Sequence, residues 1–243
     1  MLSHKNTQTD EIAYSGLFVA GGVPKKIPGM LKDRMNISHV GLISDEKPDY
    51  SVDDYIFYRD CVFGFFDDVD IEIEMKLDKK LLASMSKCET LYFQMMERFE
   101  YWGGITIYEH RVNLYHKQLN FWYNYLTSRK INLCVFMTIP HFGFDYIIYC
   151  LCKLMGIEVI MFHRIPILLN KVTGLYVFSD LDDQLKGVKH LCDFYEKNPT
   201  EVKLSKAFLS YLELQETNIN KTFTGVTTRG RSKILKKTSF FYN

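Results

Sequence analysis

The chain has 243 residues, of which 47% are hydrophobic and 24% charged, and its net charge is +1. This composition is typical of a globular protein with a sizeable core, and it excludes disorder over most of the length. Residues 221–243 carry six basic residues and no acidic one, which leaves residues 1–220 with a net charge of −5. A mildly acidic body argues against a nucleic-acid-binding surface over the whole domain.

The first quarter of the chain contains three apolar runs that we predict to be strands. They are residues 12–20, residues 37–44 and residues 54–63. Gly21-Gly22 and Pro24 indicate a loop after the first run. Ala20-Gly21-Gly22 is the nearest approach to a glycine-rich phosphate loop, but alone it does not define one.

Two long amphipathic helices are predicted next. Asp78 is a good N-cap, and apolar residues then recur at steps of four and three up to Trp102, before Gly103-Gly104 stops the helix. A second helix carries the same spacing from Val112 to Leu126. Either stripe could be an aromatic ligand box, but we favour core packing because helical apolar stripes usually face a core.

The region from residue 131 to residue 195 alternates predicted strands and helices. A strand at residues 131–138, a helix at 144–155 ended by Gly156 and a strand at 157–162 form a βαβ unit, whose strands are parallel. A strand at residues 175–178 and a helix from Leu181 to Tyr195 follow. We therefore predict an α/β domain at residues 1–200 with a mainly parallel sheet flanked by helices. Residues 201–243 are predicted to form a C-terminal helix and a basic tail.

Polar residues follow two of these predicted strands. Pro140-His141 comes after one strand and His163-Arg164 after the next. Because the strands are parallel, both pairs are expected at one edge of the sheet, where α/β proteins bind ligands. The nearby N-terminus of the helix at residue 144 adds positive charge, so the edge would suit a phosphate or carboxylate. The structural alternative is that His141 caps a loop and Arg164 pairs with a surface carboxylate.

Other charged residues have simpler explanations. Asp145 lies in the first turn of a predicted helix, where the helix dipole favours a carboxylate. Asp180 and Asp182 could hold a divalent metal in a metal-dependent transferase, but we favour a helix N-cap and predict no metal site. Arg98 and Arg111 could reach the same crevice as His141, and a solvated helix face explains them equally well.

The six cysteines are predicted to be reduced core thiols, because most lie in apolar segments and no CxxC pair occurs. Cys150 and Cys152 are two residues apart on a helix and so face different directions. The first residues lack an apolar signal-peptide core, and no apolar run reaches the roughly 18 residues that span a bilayer. We therefore expect a cytoplasmic protein without a transmembrane segment.

The order of motifs over residues 78–165 resembles the N-terminal half of capsular polysaccharide biosynthesis glycosyltransferases and related uncharacterised bacterial and phage proteins. The most specific part is an apolar strand, Pro-His, a short spacer, an aspartate and an apolar helix. The residues that carry the resemblance are Glu89, Met96-Glu97-Arg98, residues 131–136, Pro140-His141, Asp145, Tyr149, Lys153 and Gly156.

The resemblance implies one Rossmann-like half of a two-domain, metal-independent GT-B transferase, without a bound cofactor and with a nucleotide sugar as donor substrate. His141 would be the catalytic base that activates a glycan acceptor. His163, Arg164, Asp145 and Arg98 would bind sugar or anionic groups. Nothing after residue 200 resembles the donor-binding half, so a separate donor-binding domain is an expected partner.

Two functions follow as hypotheses. The first is a glycosyltransferase-like domain that binds acceptor or sugar in surface polysaccharide synthesis, at the inner face of the membrane. The alternative is a non-catalytic binding or scaffolding module derived from such an enzyme, whose basic tail docks a partner or an anionic membrane. The tail could also be only a solvated charge run.

Overall fold

A computed structural model describes residues 13–20, 29–31, 36–74, 76–97, 107–168, 171–181, 189–190, 192–194 and 196–198. For residues 163–168 and 171–176 the description is limited to the backbone. Two compact units divide the chain, residues 1–164 with 175–186, and residues 165–174 with 187–243. The predicted boundary at residue 200, the C-terminal helix and the basic tail lie outside the described residues and stay predictions.

Six strands form one sheet in the order β3-β2-β1-β4-β5-β6. Their bounds are β1 Tyr14–Val19, β2 Ile37–Ser44, β3 Asp54–Phe57, β4 Leu133–Phe136, β5 Glu158–Leu168 and β6 Lys171–Phe178. The pairs β3–β2, β2–β1, β1–β4 and β4–β5 are parallel. The prediction of a mainly parallel α/β sheet is therefore confirmed, and its strand order is Rossmann-like.

The last strand reverses direction. Only two residues separate β5 from β6, whereas a crossover between parallel neighbours needs about a dozen or more. We therefore take β6 to run antiparallel to the other five strands. Residues that follow β6 consequently lie at the edge where the parallel strands begin.

The described residues include the helices α1 Tyr58–Phe63, α2 Lys79–Ser84, α3 Ser86–Met96, α4 Tyr108–Ser128 and α5 Phe144–Met155. The α5 bounds agree with the prediction, and Gly156 ends it in a left-handed conformation with φ 71°. Asp78 caps α2 as predicted, its Oδ1 accepting from the Leu81 N–H at 2.7 Å.

Two elements predicted in the first hundred residues were wrong in extent. The strand predicted at residues 54–63 ends at Phe57, and the chain turns at once into α1. The helix predicted from Asp78 onward is broken at Met85, which has φ −97° and ψ 4° between α2 and α3. Residues 98–106, where its end was predicted, lie outside the described part.

The core lies on both faces of the sheet. Alternate buried residues along β1, β2, β3, β4 and the start of β5 belong to two clusters, as the two-residue period of a strand requires. The larger cluster joins Leu17, Val19 and Phe136 to the buried faces of α3, α4 and α5, including Tyr92, Tyr115 and Trp122. Phe18, Leu133 and Val135 face the smaller cluster. The described aromatic residues of both helical stripes are therefore core, as predicted.

The cysteine prediction holds for four of six residues. Cys61, Cys88, Cys134 and Cys152 are buried free thiols, Cys150 is half-buried, and Cys192 is exposed. The assignment of Cys192 to the core was therefore wrong. Among the described residues, no helix is both long and apolar enough to cross a membrane.

Candidate functional site

The strand order places a topological switch point between β1 and β4. In the sheet, β2 and β3 lie on the outer side of β1, and β5 lies on the outer side of β4. The switch in strand order therefore falls where β1 and β4 end, at Val19 and Phe136. Open α/β sheets bind ligands outside the carboxyl ends of their strands at such a switch point.

The loop after β4 carries His141 to this carboxyl edge. The first residue of this loop lies beside the end of β1, because the Met137 N–H donates to the Val19 carbonyl at 2.9 Å. His141 is half-buried, and its Nδ1 lies 2.6 Å from the Ile139 carbonyl oxygen. A carbonyl only accepts, so Nδ1 carries the proton. In the neutral imidazole, Nε2 is then the nitrogen with the acceptor lone pair.

Asp145 fixes the backbone of this loop. Its Oδ2 accepts from the His141 N–H at 2.9 Å, and its Oδ1 accepts from the Phe142 N–H at 2.8 Å. The residue is only 2% exposed. Burial raises the pKa of the Asp145 carboxyl, and the two N–H donors act in the opposite direction. Asp145 thus positions His141, and its predicted contact with a sugar stays a prediction.

A tight turn at Gly143 connects the loop to α5. The Phe144 N–H donates to the Phe142 carbonyl at 3.0 Å, and Gly143 between them has φ 80° and ψ −69°. These values define a γ-turn of the rare, strained kind. A Cβ at Gly143 would also stand 2.9 Å from a ring carbon of Tyr92 on α3. Only glycine suits both constraints.

Tyr58 is a residue of this edge that the sequence analysis missed. It follows the carboxyl end of β3, and its ring meets the rings of Phe142 at 5.5 Å and Phe144 at 5.0 Å. Burial and then the carboxylates of Asp145 and Asp45 raise its pKa, so the phenol stays neutral. The available signal was the polar run from Tyr58 to Asp60, which interrupts the predicted strand.

Acidic groups lie at the described part of the carboxyl edge near Tyr58. Asp45 and Glu46 follow β2, and Asp145 occupies the N-terminal turn of α5. The positive end of α5 therefore already faces a carboxylate of the same chain. An anion at this edge would therefore need cations besides the N-terminus of α5.

His163 and Arg164 were predicted to follow a strand ending at residue 162. That end was wrong, since β5 continues to Leu168. The last β4–β5 pair is Phe136 with Met161, so the backbone at His163 lies two residues beyond β4, in the direction of His141. The side chains of His163 and Arg164, and all of Arg98, lie outside what the structure describes.

The opposite, amino edge holds a different cluster. Asp54, at the start of β3, accepts from Arg129 Nε at 2.8 Å and from the Tyr125 hydroxyl at 3.1 Å. His39 Nε2 stands 3.4 Å from the same carboxylate, longer than a good hydrogen bond. Burial opposes ionisation of Asp54, but these partners prevail and lower its pKa to about 2.

Asp180 also belongs to the amino edge. The Tyr149 hydroxyl donates to its Oδ1 at 2.8 Å, and Lys153 Nζ lies 2.6 Å from its Oδ2. Beside it is a cavity of about 540 Å³ lined by Lys153, Glu158, Ser179 and residues of β5 and β6. Within the described ranges no three His, Cys, Asp or Glu side chains group as metal ligands. Asp182 is not among the described residues, so its cap or metal role stays a prediction.

Fold and site together define a Rossmann-like α/β domain with a histidine loop at its topological switch point. No family model, curated protein or solved structure matches the chain. The argument for function therefore comes from the site itself.

Proposed function

We propose that the chain is a glycosyltransferase-like domain that binds an acceptor glycan or nucleotide sugar in the synthesis of capsular or other surface polysaccharide. The observation that carries the proposal is the loop of His141, held by Asp145 beside the β1–β4 switch point. The ligand lies outside the carboxyl ends of these strands. The membrane-facing side of the cytoplasm is the proposed compartment, with the basic tail as a peripheral contact.

His141 has the chemistry of a general base. The Ile139 carbonyl holds the proton on Nδ1 and stabilises the imidazolium that forms when Nε2 takes a proton. The hydrogen bonds to Asp145 fix the backbone from which the ring projects. An acceptor hydroxyl at Nε2 would lose its proton as its oxygen attacks the anomeric carbon of the nucleotide sugar, and the bond from that carbon to the nucleoside diphosphate would break. This chemistry requires no metal.

Other groups at this edge would contact different parts of the ligand. Asp45 and Glu46 follow β2 at the same edge, and carboxylates accept hydrogen bonds from sugar hydroxyls. The neutral Tyr58 phenol can donate to a sugar oxygen. Acidic groups of the acceptor or the donor phosphates are assigned to His163 and Arg164. A separate donor-binding domain would supply the rest of the nucleotide-sugar site.

Thermal unfolding with a panel of nucleotide sugars and acidic glycans tests the proposal. A ligand at about 100 times its Kd stabilises the folded chain by about 2.7 kcal/mol, and the Tm rises. His141→Ala and Arg164→Ala should abolish that rise. His110→Ala is the matched control, because His110 is exposed in the first turn of α4. A chain that no probe stabilises would favour the non-catalytic scaffolding alternative.

A further inference from the structure

The cavity of about 540 Å³ beside Asp180 has the dimensions of a ligand site. Three segments line it: the last turn of α5, the chain around the start of β5, and the end of β6 with the two residues after it. All of them belong to the compact unit of residues 1–164 and 175–186. Small-molecule sites usually have volumes of about 300–1,000 Å³, so this space can hold a small ligand. We call it the amino-edge cavity.

The amino-edge cavity is separate from the histidine loop. Lys153, which lines the cavity, lies in the last turn of α5, whereas the loop of His141 leads into the first turn of that helix. A helix rises by about 1.5 Å per residue, so the 12 residues of α5 span about 18 Å. A ligand in the cavity is therefore a second ligand and not a part of the one at the carboxyl edge.

Part of the cavity lining is apolar. Ile157 and Val159 are buried in the larger core cluster, and Phe178 packs against the same cluster. Val177 also lines the cavity, and 60% of its surface is exposed. A ligand body that covers this valine removes apolar surface from water, which is favourable. The lining thus suits a ligand with an apolar part.

The charged part of the lining is acidic on balance. Lys153 Nζ lies 2.6 Å from Asp180 Oδ2, so the lysine already has a carboxylate partner. Glu158 is exposed at the start of β5, and its carboxylate forms no ion pair within the part of the chain that the structure describes. One lysine and two carboxylates leave the lining with a formal charge of −1. The C-terminus of α5 adds roughly half a negative charge.

We propose that the amino-edge cavity binds a small organic cation, a primary amine on an apolar body of about the size of phenylethylamine. The ammonium group, protonated at neutral pH like that of lysine, pairs with Glu158. The apolar body lies against Val159, Val177 and Phe178, and the Phe178 ring adds a surface that attracts cations. The acidic lining repels anions, so the cavity does not take the nucleotide sugars proposed for the carboxyl edge.

An NMR titration of the full chain with phenylethylamine tests this inference, and phenylpropionate serves as an anion of similar shape. We expect the methyl signals of Val159 and Val177 to shift with a Kd of about 1 mM, the scale of so small a ligand. Phenylpropionate should bind at least about tenfold more weakly. Glu158→Gln should weaken phenylethylamine binding about fivefold through the loss of one exposed ion pair. Glu72→Gln is the matched control, because Glu72 is exposed and does not line the cavity.

Any of three results would overturn the inference. The first is the absence of shifts at Val159 and Val177 at about 10 mM phenylethylamine, ten times the expected Kd. The second is phenylpropionate binding as tightly as the amine. The third is an equal affinity of Glu158→Gln and Glu72→Gln for phenylethylamine. No nucleotide sugar is present in this titration, so its outcome is independent of the function proposed for the carboxyl edge.

Discussion

The two edges of the sheet use their carboxylates in different ways. At the amino edge, Asp54 pairs with Arg129 and Tyr125, and Asp180 pairs with Lys153 and a hydroxyl. These partners are side chains that join strands to helices. The amino edge is therefore built for stability.

At the carboxyl edge, the carboxylate of Asp145 binds backbone N–H groups of a loop instead. Among the described residues, no lysine or arginine forms an ion pair with this buried carboxylate. The γ-turn at Gly143 adds backbone strain. Strain and a buried carboxylate are kept where a fold must place a reactive group. From this difference we propose that the loop is held in position for His141 rather than for packing alone.

The largest expected effect comes from the strained turn. Gly143→Ala should lower the free energy of unfolding by about 3 kcal/mol, because the new Cβ meets Tyr92 and the backbone conformation disfavours any side chain. Gly156→Ala is the matched control. It also has positive φ, but nothing lies within 4 Å of the added Cβ. Its expected cost is about 1 kcal/mol. Equal losses on urea denaturation would show that the contact with α3 is unimportant.

Asp145→Asn should cost about 2 kcal/mol, because the amide would place a donor against one of the two backbone N–H groups. Asp78→Asn provides the comparison, since Asn caps a helix as well as Asp does and should change stability by less than about 0.5 kcal/mol. Denaturant titrations of both variants would measure the difference. The positioning role of Asp145 is refuted if the two variants are equally stable.

The stability contributions of Asp54 and Asp145, one at each edge, change in opposite directions with pH. The pKa of Asp54 falls from 3.8 in the unfolded chain to about 2 in the fold, so its contribution is present above pH 4 and lost as the pH falls toward 2. Asp145 has a raised pKa, so its contribution has the opposite sign and is lost as the pH rises through that pKa.

Asp54→Asn should therefore be less stable than the wild type by about 1–2 kcal/mol at pH 7, and the gap should narrow below pH 4. Unfolding followed at several pH values would measure that gap. A double-mutant cycle with Arg129→Met measures the coupling energy between Asp54 and Arg129. A gap that stays constant down to pH 2.5 would contradict the assignment.

The smallest effect belongs to the exposed pair of Lys153 and Asp180. The Lys153 side chain is 48% exposed, and such pairs contribute about 0–1 kcal/mol. Lys153→Met should change the free energy of unfolding by less than about 1 kcal/mol, and the change should shrink in high salt. A loss as large as that of Asp145→Asn would mean that the amino edge depends on this pair far more than its exposure indicates.

Much of the fold was predictable because its signals are local. The apolar run at β2 and the helical period of α5, with Gly156 behind it, gave both elements their observed bounds. The parallel βαβ unit then placed His141 at the carboxyl edge. Apolar character alone did not show where β3 ends, because apolar residues resume at Cys61 in α1 after the polar run from Tyr58 to Asp60.

Features that depend on tertiary contacts were not predictable. The break at Met85 leaves the apolar spacing intact, and the Tyr115 hydroxyl that donates to the Met85 carbonyl comes from α4. Asp145 was expected to act on the helix dipole, and its bonds to His141 and Phe142 depend on the shape of the turn.

Histidine NMR during a titration with UDP-glucose and other nucleotide sugars tests the central claim most directly, because it compares the two edges in one sample. We predict that the ring signals of His141, at the carboxyl edge, shift with the added ligand, while those of His39, at the amino edge, stay in place. Shifts at His39 without any at His141, or binding that perturbs only residues around the cavity beside Asp180, would contradict the account.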